Sequence, residues 1–277
     1  MPVKVIQTPT GQEFKMGRKR PIARGMKLSM ANYLKLGMPL PPPACNYRDA
    51  AEVALANVYG NDTLGDCVIA GIAHLIGVFT GNSGEPVLFT LPQIIKLYSA
   101  IGGYVPGDES TDNGCDEETA LNYWENNGFP DGENKVSGII SVNPNEPRIY
   151  RTALWLFENL FFGCELPDEW ITPFPSGNGF KWGVAGPANP DNGHCFIGCA
   201  YKEEGIIIDS WGMFGVVTDA AIQYYMNQNQ GGQMFCVISP EIIKKAILKA
   251  PSGFDWTQLV ADFDSLGGNV SALIGSS

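Results

Sequence analysis

The chain has 277 residues, 44% of them hydrophobic, which is enough for a sizeable core in one large domain or two small ones. A net charge of −11 argues against wholesale nucleic-acid binding, and no stretch of about 18 uncharged apolar residues reads as a membrane span. Seven cysteines without regular spacing do not make a secreted disulfide framework, and with only two histidines and no CxxC a structural zinc site is not expected.

Residues 1–44 carry eight Lys/Arg and one acid, Glu13, leaving ten Lys/Arg against twenty-eight acids for the rest. A basic arm thus precedes an acidic body. The arm is a solvated tail, docks on the chain's own acidic surface, or contacts an assembly partner. It ends in Leu40-Pro41-Pro42-Pro43 and is expected to be extended. The stretch from Met1 to Met26 lacks the apolar run of a signal peptide, so the expected setting is cytoplasmic and reducing, or a viral particle.

From about Asn46 the composition becomes globular. Asp66 is placed to cap a helix that opens at Cys67 and continues through a nearly all-apolar run to Ile76, the pattern of a buried helix. Further helices are predicted from Thr90 through Tyr98, from Cys115 to Asn126 with Gly128 as its stop, and from Arg148 to Phe161. The pattern then changes to strands: 194–201, a turn at 202–205, 205–211, 214–218 and 233–238. A helical first half and an antiparallel β second half make an α+β fold. The predicted organisation is an arm (1–44), one domain (45–250) and a tail (251–277). The tail's Phe254, Trp256, Leu259, Val260 and Phe263 suit a short amphipathic element, with fraying from Gly267.

Three residues carry the candidate chemistry. Cys67 falls in the first turn of a helix, where the macrodipole favours a thiolate and free N–H groups can hold an oxyanion; its bland alternative is a buried apolar residue. His194 opens a strand. His74, seven residues after Cys67, lies about 10 Å along the helix axis and is assigned a satisfied core role. Asp209 ends the strand that the hairpin pairs with the His194 strand, so the two side chains can meet at one end of the sheet; a capping or turn aspartate is the alternative.

Six segments resemble the papain-like cysteine peptidase superfamily over about residues 46–240. Asn46-Tyr47-Arg48 resembles its Asp-Trp-Arg opening. Asn61, six residues before Cys67, resembles its Gln-x5-Cys, and the Asp66-Cys67 pair is similar to that of bacteriocin-processing peptidases. Gly114-Cys115 with the following helix, Gly193-His194, and Asp209-Ser210-Trp211-Gly212 complete the set.

The resemblance implies a papain-like fold and a thiol hydrolase acting on peptide or related amide bonds. Cys67 would be the nucleophile, His194 the general base and acid, Asp209 its orienter, Asn61 an oxyanion donor, Trp211 the cover of the His–Asp bond, and Asp66 a support. No cofactor or metal is implied. Departures are the short Asn61, Asp209 in place of Asn, Leu64 in place of a cysteine, and Asp116-Glu117-Glu118 where the family has glycines. Those acids are expected to hinder close pairing of a substrate strand and to favour a cationic or a differently docked peptide or protein ligand. The competing reading is an altered papain-like domain serving as a structural or binding component, for example of a phage particle.

Overall fold

The computed structural model describes residues 3–21, 28–130, 132–267 and 270–271. The apolar run after Asp66 forms α2 (Cys67–Gly81), which follows a short α1 (Glu52–Leu55) and is buried on nearly every side. A helix apolar all round has no solvent face to offer, so it becomes the axis on which the other elements pack. Next come α3 (Leu91–Gly102), with Gln93 accepting from the Thr90 N–H at its start, and α4 (Glu117–Asn127). Helix α4 begins two residues later than predicted because the Asp116 side chain takes the cap position, accepting from the Thr119 N–H.

Ahead of these helices, the arm folds rather than simply extending. β1 (Lys4–Gln7) and β2 (Glu13–Met16) pair antiparallel as a hairpin, and β3 (Cys45–Asn46) joins the main sheet. That sheet also contains β4 (Gly138–Ser141), β5 (Leu160–Glu165), β6 (Phe180–Trp182), β7 (Gly193–Lys202), β8 (Gly205–Ser210), β9 (Met213–Val217) and β10 (Gln233–Ile238). Its order is β4-β10-β5-β7-β8-β9-β6, with β3 on β7, and every pair is antiparallel except β6 with β9.

One predicted helix is shorter than expected. α5 (Pro147–Phe157) stops because Glu158 adopts a left-handed conformation (φ 68°), and Leu160-Phe161-Phe162 passes into central strand β5 instead. A run of apolar residues too short to show its period is compatible with either element. α6 (Asp219–Tyr225) follows β9, α7 (Pro240–Lys249) follows β10, and α8 (Trp256–Ser265) lies in the tail with Leu259 and Phe263 buried. Fraying after Gly267 was expected; residues 268–269 and 272–277 lie outside the described residues. No helix among the described residues is long and apolar enough to cross a membrane.

Candidate active site

Helix α2 and strand β7 pack face to face, close enough that a Cβ on Gly71 would come within 3.2 Å of Cys195 Sγ. This contact brings the first turn of α2 to the start of β7. Cys67, His194, Asn61, Asp209, Ser210, Trp211 and His74 all line one narrow pocket of about 10 Å³. Cys67 is 2% exposed, and burial pushes its thiol up to about 12, against the opposing effect of the Cys195 and Gly17 backbone amides.

His194 is clamped rather than free. Its ring stacks on Trp211 at 4.1 Å and 17°, and Nε2 lies 2.9 Å from Ser210 Oγ. Nδ1 is buried without a hydrogen-bond partner among the described residues. Burial, reinforced by the nearby Arg18 charge, lowers its pKa to about 3, so the imidazole is neutral.

The predicted His194–Asp209 contact is not made. Asp209 Oδ2 approaches His74 Nδ1 at 3.1 Å, while His74 Nε2 lies 2.8 Å from the Asn57 carbonyl, to which it donates. Burial raises the Asp209 carboxyl well above its ordinary value and lowers His74 to about 4. Burial thus disfavours charge on both members of this pair, and neither Asp209 oxygen has a hydrogen-bond partner among the described residues.

The reason lies in strand alternation. Asp209 pairs across from Ile197, so Asp209 and Ser210 project to opposite faces of the sheet. Ser210 shares the face of His194 and Phe196, while Asp209 falls on the Cys195 face, toward α2. Ser210 has no assigned role in the sequence, though the period of two along β8 places it on the His194 face; His74, expected in a core role alone, also reaches the site.

Asp66 stands at the cap position of α2, but its side chain makes no capping bond. Both of its oxygens are buried with no hydrogen-bond partner among the described residues, and desolvation, with Asp112 nearby, raises the carboxyl well above its ordinary value. Asn61 does not point an idle amide at the thiol. Its Nδ2 donates to Lys15 O at 3.1 Å and Leu64 O at 3.0 Å.

Lys15 belongs to the arm, which runs directly over the site. Lys15 N donates to Asn61 O, Arg18 N to Gly193 O, Lys19 N to Cys115 O, and Cys115 N to Gly17 O, at 2.9–3.1 Å. The approach is so close that a Cβ on Gly17 would lie 1.7 Å from Gly65 O. Phe14 stacks on Phe174 at 5.1 Å and leans on Trp211 at 5.7 Å. Lys4, Lys15, Arg18 and Arg20 pair with Asp168, Asp112, Glu117 and Glu165.

The acids after Cys115 do not block this strand, contrary to expectation. Glu117 is 0% exposed and Glu118 5%, so neither forms a cleft rim. Both turn inward, Glu117 to Arg18 and Glu118 to Gln233, leaving the Cys115 backbone free to pair with the arm. No group of three or more His, Cys, Asp or Glu among the described residues could hold a metal ion.

No protein-family model matches the chain, and no curated protein matches it significantly. Solved structures do. Xylellain, a cysteine protease from Xylella fastidiosa, is 14% identical with a TM-score of 0.57, covering 85% of this chain and 98% of its own. Digestive procathepsin L2 proteinase from the Tenebrio molitor larval midgut is 14% identical at TM-score 0.58, covering 81% and 78%. The cysteine protease and lectin-like domains of Cwp84 from Clostridium difficile are 11% identical at TM-score 0.54, covering 86% and 62%. At these identities the likeness is one of fold.

Proposed function

We propose that this papain-like α+β fold is a cysteine-type hydrolase of peptide or related amide bonds, held silent by its own arm. The observation that carries the reading is an extended peptide strand, the arm, seated by backbone hydrogen bonds over a void shared by a helix-terminal thiol and a clamped imidazole. A groove that pairs with main-chain groups accepts peptides of many sequences.

In the proposed reaction the arm lifts away and solvent reaches the site. His194 takes the Cys67 proton, and the thiolate, beside the positive end of α2, attacks the carbonyl carbon. The oxyanion is held by the Cys67 backbone N–H and the Asn61 amide, which the arm's Lys15 carbonyl now engages. The proton passes from His194 to the leaving amine, and water then releases the acyl group. Trp211 and Ser210 fix the ring. Asp209 acts at a remove, against His74, and not as a direct orienter. The substrate is a peptide or protein, of basic character given the acidic body.

One observation favours the second reading, a silent structural or binding module: the thiol and the imidazole are both neutral and the arm is integral to the packing. Turnover of a fluorogenic peptide pool by the full chain carrying Gly17→Ala separates the two. The hydrolase reading expects turnover that Cys67→Ala abolishes. No turnover, with partner capture unchanged by Cys67→Ala, supports the module.

A further inference from the structure

The arm's backbone bonds would serve any extended peptide, but the seat of the Arg18 side chain would not. The guanidinium is fully buried. Its Nε donates to Glu117 Oε2 at 2.8 Å and Nη1 to Gly231 O at 2.8 Å, while Nη2 lies 3.5 Å from Gln233 Oε1. Gln233 in turn donates to Glu118 at 2.7 Å, so a second buried carboxylate backs the first. Room for this group is made by Gly163, where a Cβ would sit 1.9 Å from Glu117 Oε2 and 2.2 Å from Arg18 Nε. Cys164 and Cys195 lie beside it.

We infer that this pocket is a side-chain subsite selecting an arginine in a bound peptide, and that Arg18 of the arm is its resident stand-in. The inference deepens the hydrolase reading and rests on it for the claim that the bound peptide is a substrate. The chemistry is specific. Acceptors in three directions match the planar fork of a guanidinium, whereas an ammonium on a single nitrogen cannot span them. An apolar side chain would leave Glu117 Oε2 and Gln233 Oε1 buried and unpaired, which is how such sites reject ligands lacking a donor. An acidic residue would bring like charge to Glu117. The acidic body draws cationic peptides toward the groove over a longer range.

The test is equilibrium binding, which needs no turnover. The full chain with Gly17→Ala displaces the arm strand by steric conflict with Gly65; Arg18→Ala, which empties the pocket alone, stands beside it if the first variant does not fold. The probe is a fluorescein-labelled alanine–glycine peptide with Arg, Lys, Leu or Glu at its centre, read by anisotropy. The Arg peptide is expected to bind at least about 100-fold more tightly than the Leu peptide and more tightly than the Lys peptide. Glu117→Gln should collapse the Arg-to-Leu ratio toward unity. Equal affinities for Arg and Leu, or a ratio indifferent to Glu117→Gln, overturn the inference. The hydrolase reading is scored separately in the same samples, by whether an Arg-peptide chloromethyl ketone labels Cys67 and whether His194→Ala prevents it. Arg-selective binding without labelling sinks that reading and leaves an arginine-specific binding pocket; labelling without Arg selectivity does the reverse.

Discussion

Arg18→Met should reveal how the arm is held. The Arg18 and Glu117 side chains are 0% exposed and 2.8 Å apart, so removing the cation leaves a carboxylate shut off from bulk solvent. Breaking a buried pair from one side costs about 3–5 kcal/mol. The cost depends on pH in a definite sense. Desolvation raises the Glu117 pKa, with Arg18 as the group holding it down, so in Arg18→Met the folded-state pKa lies further above the unfolded value. A group raised in this way is comfortable below its unfolded pKa of about 4.3 and loses stability as pH rises toward the folded value. Urea unfolding of wild type and variant at pH 5 and pH 8 should therefore show a deficit of about 3–5 kcal/mol at pH 8 and a much smaller one at pH 5. Arg18→Met with Glu117→Gln should recover most of the loss, because no charge then remains buried. A deficit below about 1 kcal/mol that does not change with pH would refute the claim that this buried pair anchors the arm.

Other consequences follow from the same geometry. Ser210→Ala should alter the His194 titration followed by NMR while Asp209→Asn leaves it in place, since Nε2 faces Ser210; the opposite pattern would restore Asp209 as orienter. Asp209→Ala should cost about 1–3 kcal/mol by removing the group beside His74 Nδ1, and Asp209→Asn less, since burial already disfavours charge at this position. His74 and His194 have folded pKa values of about 4 and about 3, below the unfolded value of about 6.5. The unfolded chain therefore binds more protons between pH 6.5 and 4, and this contribution, present above pH 6.5, is lost as pH falls. Asp66 and Asp209, raised by burial, act in the opposite sense above pH 4. His194→Gln should make the acid-side stability slope shallower by up to one proton, measured as Tm or urea midpoint against pH.

Much of the scaffold was legible because its signals are local. The apolar run behind Cys67 and the turn at 202–205 declare a buried helix and a hairpin without reference to the rest of the chain. The site was legible in membership but not in wiring. Cys67, His194, Asn61, Asp209 and Trp211 do line one void, yet which oxygen meets which ring depends on the face each residue of β8 takes. A carboxylate beside an imidazole is the expected chemistry, but alternation along β8 puts Asp209 and its neighbour Ser210 on opposite faces. The course of the arm was less accessible still. Its charge hinted at docking, but Arg18 meets Glu117, Gly193 and Gly231 across 99 or more residues of sequence, and no periodicity encodes such a meeting. The inward turn of Glu117 and Glu118 likewise depends on Arg18 and Gln233 being there to receive them.

The central claim is that Cys67 and His194 form a nucleophile and base silenced by the overlying arm. Its most direct measurement is the pH dependence of iodoacetamide alkylation at Cys67, read per cysteine by mass spectrometry, in the full chain with and without Gly17→Ala and with His194→Ala as control. Cys67 of the unaltered chain should be nearly inert at neutral pH, because burial pushes its thiol up to about 12. With Gly17→Ala it should react with an apparent pKa below the ordinary thiol value of about 8.5, a shift that His194→Ala removes. Alkylation that titrates like an ordinary thiol in both chains, indifferent to His194, would contradict it.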